Sequence, residues 1–416
     1  MLFLRKITLL LLIMFVKKSY LLFVVCLLFF NCSSNDEINE PNEIVTVKDN
    51  GTTVVIDGKE LWKLIKTTDG GYIGIAHSGD YEILKFDQNF NITWGKEYGG
   101  SENDLAESII QTSDGGYLIV GWTKSSNGDV SNNYGDNDIW VCKIDANGNL
   151  MWEKNYGGSK EDLLRGENLV KQTSDGGFIF IGHTESSNKD VSINHGLYDI
   201  WVVKISSIGD IEFEKTFGGS SEDYGKEVLI TQGGYFILST VYSTDGDFNK
   251  KDSWLLKINE SGSVIWKKAL NLPMRGTMNL NFDGSVTIVQ AYSFGLYVSV
   301  FNNNGNIVST KEISTFSMSP YKLPAVNKVL QTNDKGFLII GDLGAGNLQD
   351  AFCVKLNNNL EMTFSKKYSG SDFDKSRSIF PVSSDKYMYQ FLTYSNPIDD
   401  ITYSSLGASV IVRLEF

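Results

Sequence analysis

Short apolar runs recur along this chain, each closed by glycine, aspartate or asparagine, with the spacing of strands rather than helices. The clearest unit, residues 111–159, reads QTSDGGYLIVGWT, then a polar loop, then DNDIWVCKIDANGNLMWEKNYGGS. Altered copies follow at 172–220 and 231–268, and fainter ones begin at Thr68, Phe282, Asn333 and Ser384. Marked by the DGG turn or its equivalent, seven units sit at Asp69, Asp114, Asp175, Gln232, Asp283, Asp334 and Asp385. The intervals are 45, 61, 57, 51, 51 and 51 residues. Such a period, with about four strands per unit, predicts an all-β fold, a seven-bladed β-propeller of four-stranded blades. One blade cannot bury its own faces, so a single closed ring is expected.

In the second unit the pattern predicts strand a at 107–112, b at 117–123, c at 139–144 and d at 150–156. The a–b hairpin turns on Asp114-Gly115-Gly116 and the c–d hairpin on Ala146-Asn147-Gly148, because glycine supplies the positive φ such turns need. Strands b and c are almost continuously apolar, as sheets buried between neighbours should be. Alternation puts the b–c and d–a connections on one rim and the tight turns on the other. The last unit stops at Phe416, directly after its strand c, and lacks a fourth strand. The β-branched segment 45–56 is spare, so it is expected to fill that place and close the ring, removing the open edges.

The first 31 residues are set apart as a targeting segment. Two apolar runs, 7–16 and 20–30, are divided by Lys17-Lys18, and neither is long enough to span a bilayer. Met14 offers an economical start, with MFVKK as the basic lead. The sequence LLFFNC followed by SSNDE resembles a bacterial lipoprotein signal, which implies lipidation of Cys32 and membrane attachment through that lipid alone. Asp36 and Glu37 resemble the surface-export signal of Bacteroidota lipoproteins, implying an outer-membrane or cell-surface address. Residues 32–44 are polar, contain Pro41 and read as a flexible tether, leaving 45–416 for the propeller.

A net charge of −13 argues against a nucleic-acid partner. It fits a self-repelling surface and a monomer. Four cysteines give no disulfide framework; Cys142 and Cys353 fall in strands of different blades and read as buried thiols. Three histidines are too few for a histidine-rich metal site.

Residues present in every unit are expected to be structural, since one site on a ring must break its symmetry. The DGG aspartates Asp69, Asp114, Asp175 and Asp334 should bond their own turns. Trp140, Trp201 and Trp254 of strand c, and Trp94, Trp152 and Trp266 of strand d, should pack between blades. Lys85, Lys143, Lys204, Lys257 and Lys355 should lay their stems along blade faces. Asp104, Asp162, Asp223 and Asp374, in the GGSxxD loops, approach the channel mouth, either as an acidic collar or as caps for loop N–H groups.

Asymmetry is found in the b–c loops, long in blades 2 to 4 at 124–137, 185–198 and 243–251. Two share D-V-S-x-N-x-G, aligning Asp129, Ser131 and Asn133 with Asp190, Ser192 and Asn194. Alternate oxygens can wrap Ca²⁺, the one cofactor the sequence suggests, or can cap the loop itself. On the same rim a strand-b position varies through His77, Trp122, His183, Thr240 and Asp342, with Tyr134 and His195 on the loops beside it. Such groups around a depression suit a glycan or protein ligand, although packing beneath the loops is the simpler use.

The pattern W-x-K-x-Y-G-G-S…Q-T-S-D-G-G-Y/F…D-x-W-V-x-K resembles the propeller repeats of Bacteroidota surface lipoproteins and delta-60-type repeats, over about residues 60–416. DANGNLMW also resembles quinoprotein blades. The resemblance implies a fold and an address, with no catalytic residues to carry over; some relatives bear an endoglucanase label. The reading is a surface-tethered binding or scaffold propeller; a glycan-active enzyme is the alternative. Two close, desolvated carboxylates that break the sevenfold pattern would favour the enzyme. A quinone-dependent dehydrogenase is disfavoured because no arginine-lined pocket is legible, and no Ser-His-Asp set stands out.

Overall fold

A computed structural model describes residues 46–416 except 50, 78, 272–275, 293–294, 315–323, 346–347, 370–371 and 395–406. The leader, Cys32 and the tether lie outside the described residues. Among the described residues no helix is long and apolar enough to cross a membrane.

Seven antiparallel sheets make a seven-bladed propeller, each sheet ordered a-b-c-d from the axis outward. In blade 2 the strands are Asp104–Gln111, Tyr117–Thr123, Asp138–Ile144 and Leu150–Tyr156, so strands b and d match the sequence pattern to the residue. Strand a starts three residues earlier than expected. The cause is a bulge between Ala106 and Ser108, which the alternation cannot show.

Closure follows the expected route. Thr53–Asp57 pairs with Ala408–Glu415, setting Val55 opposite Val410, and Val54, Val55 and Ile56 are all buried. A further strand, Thr46–Asp49, pairs outside it, so the seventh sheet has five strands.

Repeated residues tie one blade to the next. Trp140 and Trp201 are fully buried, and their indole N–H groups donate to Glu153 (2.7 Å) and Glu214 (3.0 Å) on strand d of the same blade. The strand-d tyrosine reaches into the next blade's c–d turn, where Tyr156 donates to the Gly209 carbonyl at 2.7 Å. The strand-d tryptophan lies on that turn too: at Gly148, with φ of 80°, a Cβ would stand 3.1 Å from the Trp94 ring. Before the turns of blades 2 and 3 a glutamine reaches the preceding blade, Gln111 accepting from Thr68 N–H and Gln172 from Ser113 N–H, both at 2.8 Å.

The DGG aspartates do bond their own turns. Asp114 accepts from Gly116 N–H at 3.0 Å, and Asp69, Asp175 and Asp334 repeat the contact. Each also holds the strand-c lysine of its blade: Lys85–Asp69, Lys143–Asp114 and Lys204–Asp175 at 2.9 Å, Lys355–Asp334 at 2.7 Å. Blade 4 has Gln232 instead, and there Lys257 donates to the Gln232 carbonyl and sits 4.7 Å from the Phe236 ring centroid. Cys142 and Cys353 are buried free thiols in blades 2 and 6.

Candidate functional site

The innermost strands carry the asymmetry that the outer strands lack. Blades 1, 2, 4, 6 and 7 each bulge at the same place, and the extra residues are Trp62, Glu107, Lys226, Asn327 and Arg377. A bulge re-aims a side chain out of the sheet. All five of these line one cavity of about 490 Å³ at the channel axis. Blade 3 goes further: its strand a breaks into Asp162–Leu163 and Val170–Gln172, and the intervening chain brings Arg165, Gly166 and Glu167 into the same cavity. Gly166 passes so close to blade 4 that a Cβ would meet the Lys226 carbonyl oxygen at 2.3 Å. Gly276 completes the wall from blade 5. The lining comes from the first halves of these strands, so the cavity opens on the rim of the d–a and b–c loops.

Its electrostatics are mixed and strongly desolvated. Burial pushes Glu107 up to about 7, against the pull of Arg165 and Arg377. Glu227 is also raised to about 7 by burial, although it accepts from Asn168 Nδ2 (2.8 Å) and Met278 N–H (3.2 Å). Glu167 is engaged by Lys63. Beneath them burial lowers Lys171 and Lys328 to about 8, and it lowers Arg377 to about 10. The Arg377 guanidinium stacks 3.5 Å above the Trp62 ring, and the Lys375 ammonium lies 5.6 Å from the same ring. Perturbed groups of this kind gather where ligands bind or protons move.

Of the residues expected on the rim, Trp122 lines this cavity. Asp342 is buried beside it, accepting from Asn327 Nδ2 (2.9 Å) and from Ser376 N–H (2.7 Å). His183 is buried edge-on between Tyr198 and Tyr224, and desolvation, helped by Lys226 and Arg165, holds it neutral with a pKa of about 3. Thr240 is buried as well. Tyr134 is half-buried with the Lys189 ammonium 5.3 Å from its ring, and His195 Nδ1 pairs with Asp199 at 2.6 Å. The His77 side chain lies outside the described residues.

The D-V-S-x-N loops clasp the d–a segment beside them. Asp129 N–H donates to Gly99 O at 2.9 Å, and the Asp129 carboxylate accepts from Gly99 N–H. Asp190 does the same with Gly157. Asn133 and Asn194 span their own loops, Asn194 Nδ2 donating to Thr184 O and Leu197 O, both at 2.9 Å. Ser131 and Ser192 are exposed. Among the described residues no group of three or more His, Cys, Asp or Glu side chains is placed to hold a metal ion.

Asp104, Asp162, Asp223 and Asp374 are fully buried. The first three turn into their own loops: Asp104 Oδ2 accepts from Gly100 N–H and Ser125 Oγ, and Asp162 and Asp223 repeat the pattern. Asp374 accepts from Thr393 Oγ1. These partners are loop N–H and hydroxyl groups rather than one another.

The sequence pattern missed the cavity itself, including its two arginines. The signal was present as charged residues at strand-a positions that differ from unit to unit, and as a blade-3 stretch, 162–172, of eleven residues where Asp104–Gln111 has eight.

No protein-family model matches the chain, and no curated protein sequence does. Among solved structures it is similar to a protein of unknown function from Bacteroides caccae, at 11% identity and a TM-score of 0.43, over 71% of this chain and 93% of that one. It is also similar to a member of the duf4221 family from Bacteroides vulgatus, at 8% identity and 0.43, over 88% and 99%. A third is prolyl oligopeptidase B from Galerina marginata, at 8% and 0.48, over 86% and 51%. All three are too distant to speak for the cavity.

Proposed function

We propose that the chain is a binding propeller, tethered at the cell surface through a lipid on Cys32, that takes its ligand at the mouth of the central channel. The observation that carries this reading is the convergence of all seven blades on one cavity through residues that break the repeat. A volume of about 490 Å³ suits a compact ligand or the end of a chain. Probing a glycan and protein array with the folded chain tests the reading. A ligand whose binding is lost in Trp122→Ala and Lys226→Gln supports it, and a ligand indifferent to both substitutions defeats it.

A glycan-active enzyme is the second reading, favoured by Glu107 and Glu227, two desolvated carboxyls raised to about 7 in the same cavity. A carboxyl poised near neutrality can give or take a proton. Hydrolysis of any glycan that binds, abolished in Glu107→Gln or Glu227→Gln with binding retained, would establish it.

A further inference from the structure

We propose that the ligand of the channel mouth is an anionic saccharide, a sugar unit bearing a carboxylate or a sulfate; this rests on reading the cavity as the ligand site. Two of the three carboxyls lining the cavity are already bonded, and burial raises the third, Glu107, toward its neutral form. Glu167 is engaged by Lys63, and Glu227 by Asn168 and the Met278 amide. Arg165, Lys375 and Arg377, by contrast, form no ion pair with any carboxylate among the described residues. Arg377 is 9% exposed, and its Nε has no hydrogen-bond partner. Asp342, Glu167 and Glu107 attract the Arg377 guanidinium without bonding it, so a buried N–H is left for a ligand anion to satisfy. Lys226 stands on the same wall, so four cations converge on the axis of a chain whose net charge is −13.

The rest of the lining narrows the class. Trp122 lines the cavity as an aromatic surface for the C–H face of a sugar, Trp62 being stacked by Arg377, while Asn327 and Glu107 offer partners for hydroxyls. A bowl walled by every blade admits a few sugar units and excludes the broad surface of a folded protein. The anion itself is recognised by charge-assisted bonds from guanidinium and ammonium groups, which suit carboxylate and sulfate alike.

Calorimetric titration of the full chain tests this with four probes. They are uronate oligosaccharides, the methyl esters of the same oligosaccharides, sulfated oligosaccharides and polyglutamate. The expected result is binding of the uronate or the sulfated probe, weakened at least about tenfold by esterification and weakened further by added salt. Whichever of the two binds more tightly identifies the source of the anion. Lys375→Gln and Arg165→Gln should each weaken that binding about tenfold with an unchanged melting curve. Equal binding of acid and ester would overturn the anionic inference and leave the cavity reading standing. Binding of polyglutamate alone would overturn the sugar. Silence from every probe, or binding unmoved by Trp122→Ala, would overturn both.

Discussion

Arg413 and Asp49 meet across the strand that closes the ring, the guanidinium donating to both carboxylate oxygens at 2.7 Å. The pair joins the last strand of the chain to the first, yet both side chains are about one-third exposed. Solvent screening limits such a pair to below about 1 kcal/mol. Burial of Ile56 should count for more. Ile56→Ala is expected to cost about 2–5 kcal/mol and Arg413→Gln under about 1 kcal/mol, read by urea unfolding. Equal costs would show that charge, not burial, shuts the ring.

The four turn aspartates set an acid limit. Burial raises Asp69, Asp114 and Asp334, but bonds from the turn and from the strand-c lysine outweigh it and hold each at about 2. Asp175 reaches about 2 chiefly through its bond from Thr173. A carboxyl held below its unfolded value stabilises the fold above that value and ceases to as pH falls through the folded one. Stability should therefore fall between about pH 4 and pH 2. Each carboxylate is more than half exposed, so each contributes under about 1 kcal/mol after screening. Asp114→Asn should shallow the acid slope in thermal melts; an unchanged slope would refute this.

Glu107 and Glu227 act in the opposite sense. Their raised folded values mean that the contribution is complete below about pH 4.5 and is lost as pH rises through about 7. Melting temperature should decline from pH 5 to pH 8, and Glu107→Gln should flatten part of the decline, on the order of 3 kcal/mol at most. A variant that melts in parallel with the parent at every pH would exclude Glu107 as the titrating group.

Asn194 holds its loop through two donated bonds and one accepted from Gly196 N–H at 3.0 Å. Asn194→Ala should speed proteolytic nicking within 185–198 severalfold while lowering global stability by only about 1 kcal/mol. Unchanged nicking would mean that the neighbouring d–a segment alone fixes the loop.

Strands b, c and d were legible because inter-blade burial writes a continuous apolar run or a fixed tryptophan into each unit, as at Trp140 and Trp152. Closure was legible as a surplus at one end and a deficit at the other. Strand a was legible only in part, since its bulge inserts a residue that obeys no alternation: Glu107 looked like the start of a strand and is in fact its kink. Variability from blade to blade marks Trp122, which lines the cavity, but equally His183, which packs between Tyr198 and Tyr224. Partners from seven separate blades share no local signal, so the cavity could not be read from any one unit.

Five of the innermost strands carry an extra residue at the bulge. It stands outside the ladder's pairing scheme, so exchanging it leaves the strands on either side in step. The lining of the axial cavity is thereby uncoupled from assembly of the ring, and the proposed ligand site can be recast by exchanges at positions 62, 107, 226, 327 and 377 alone.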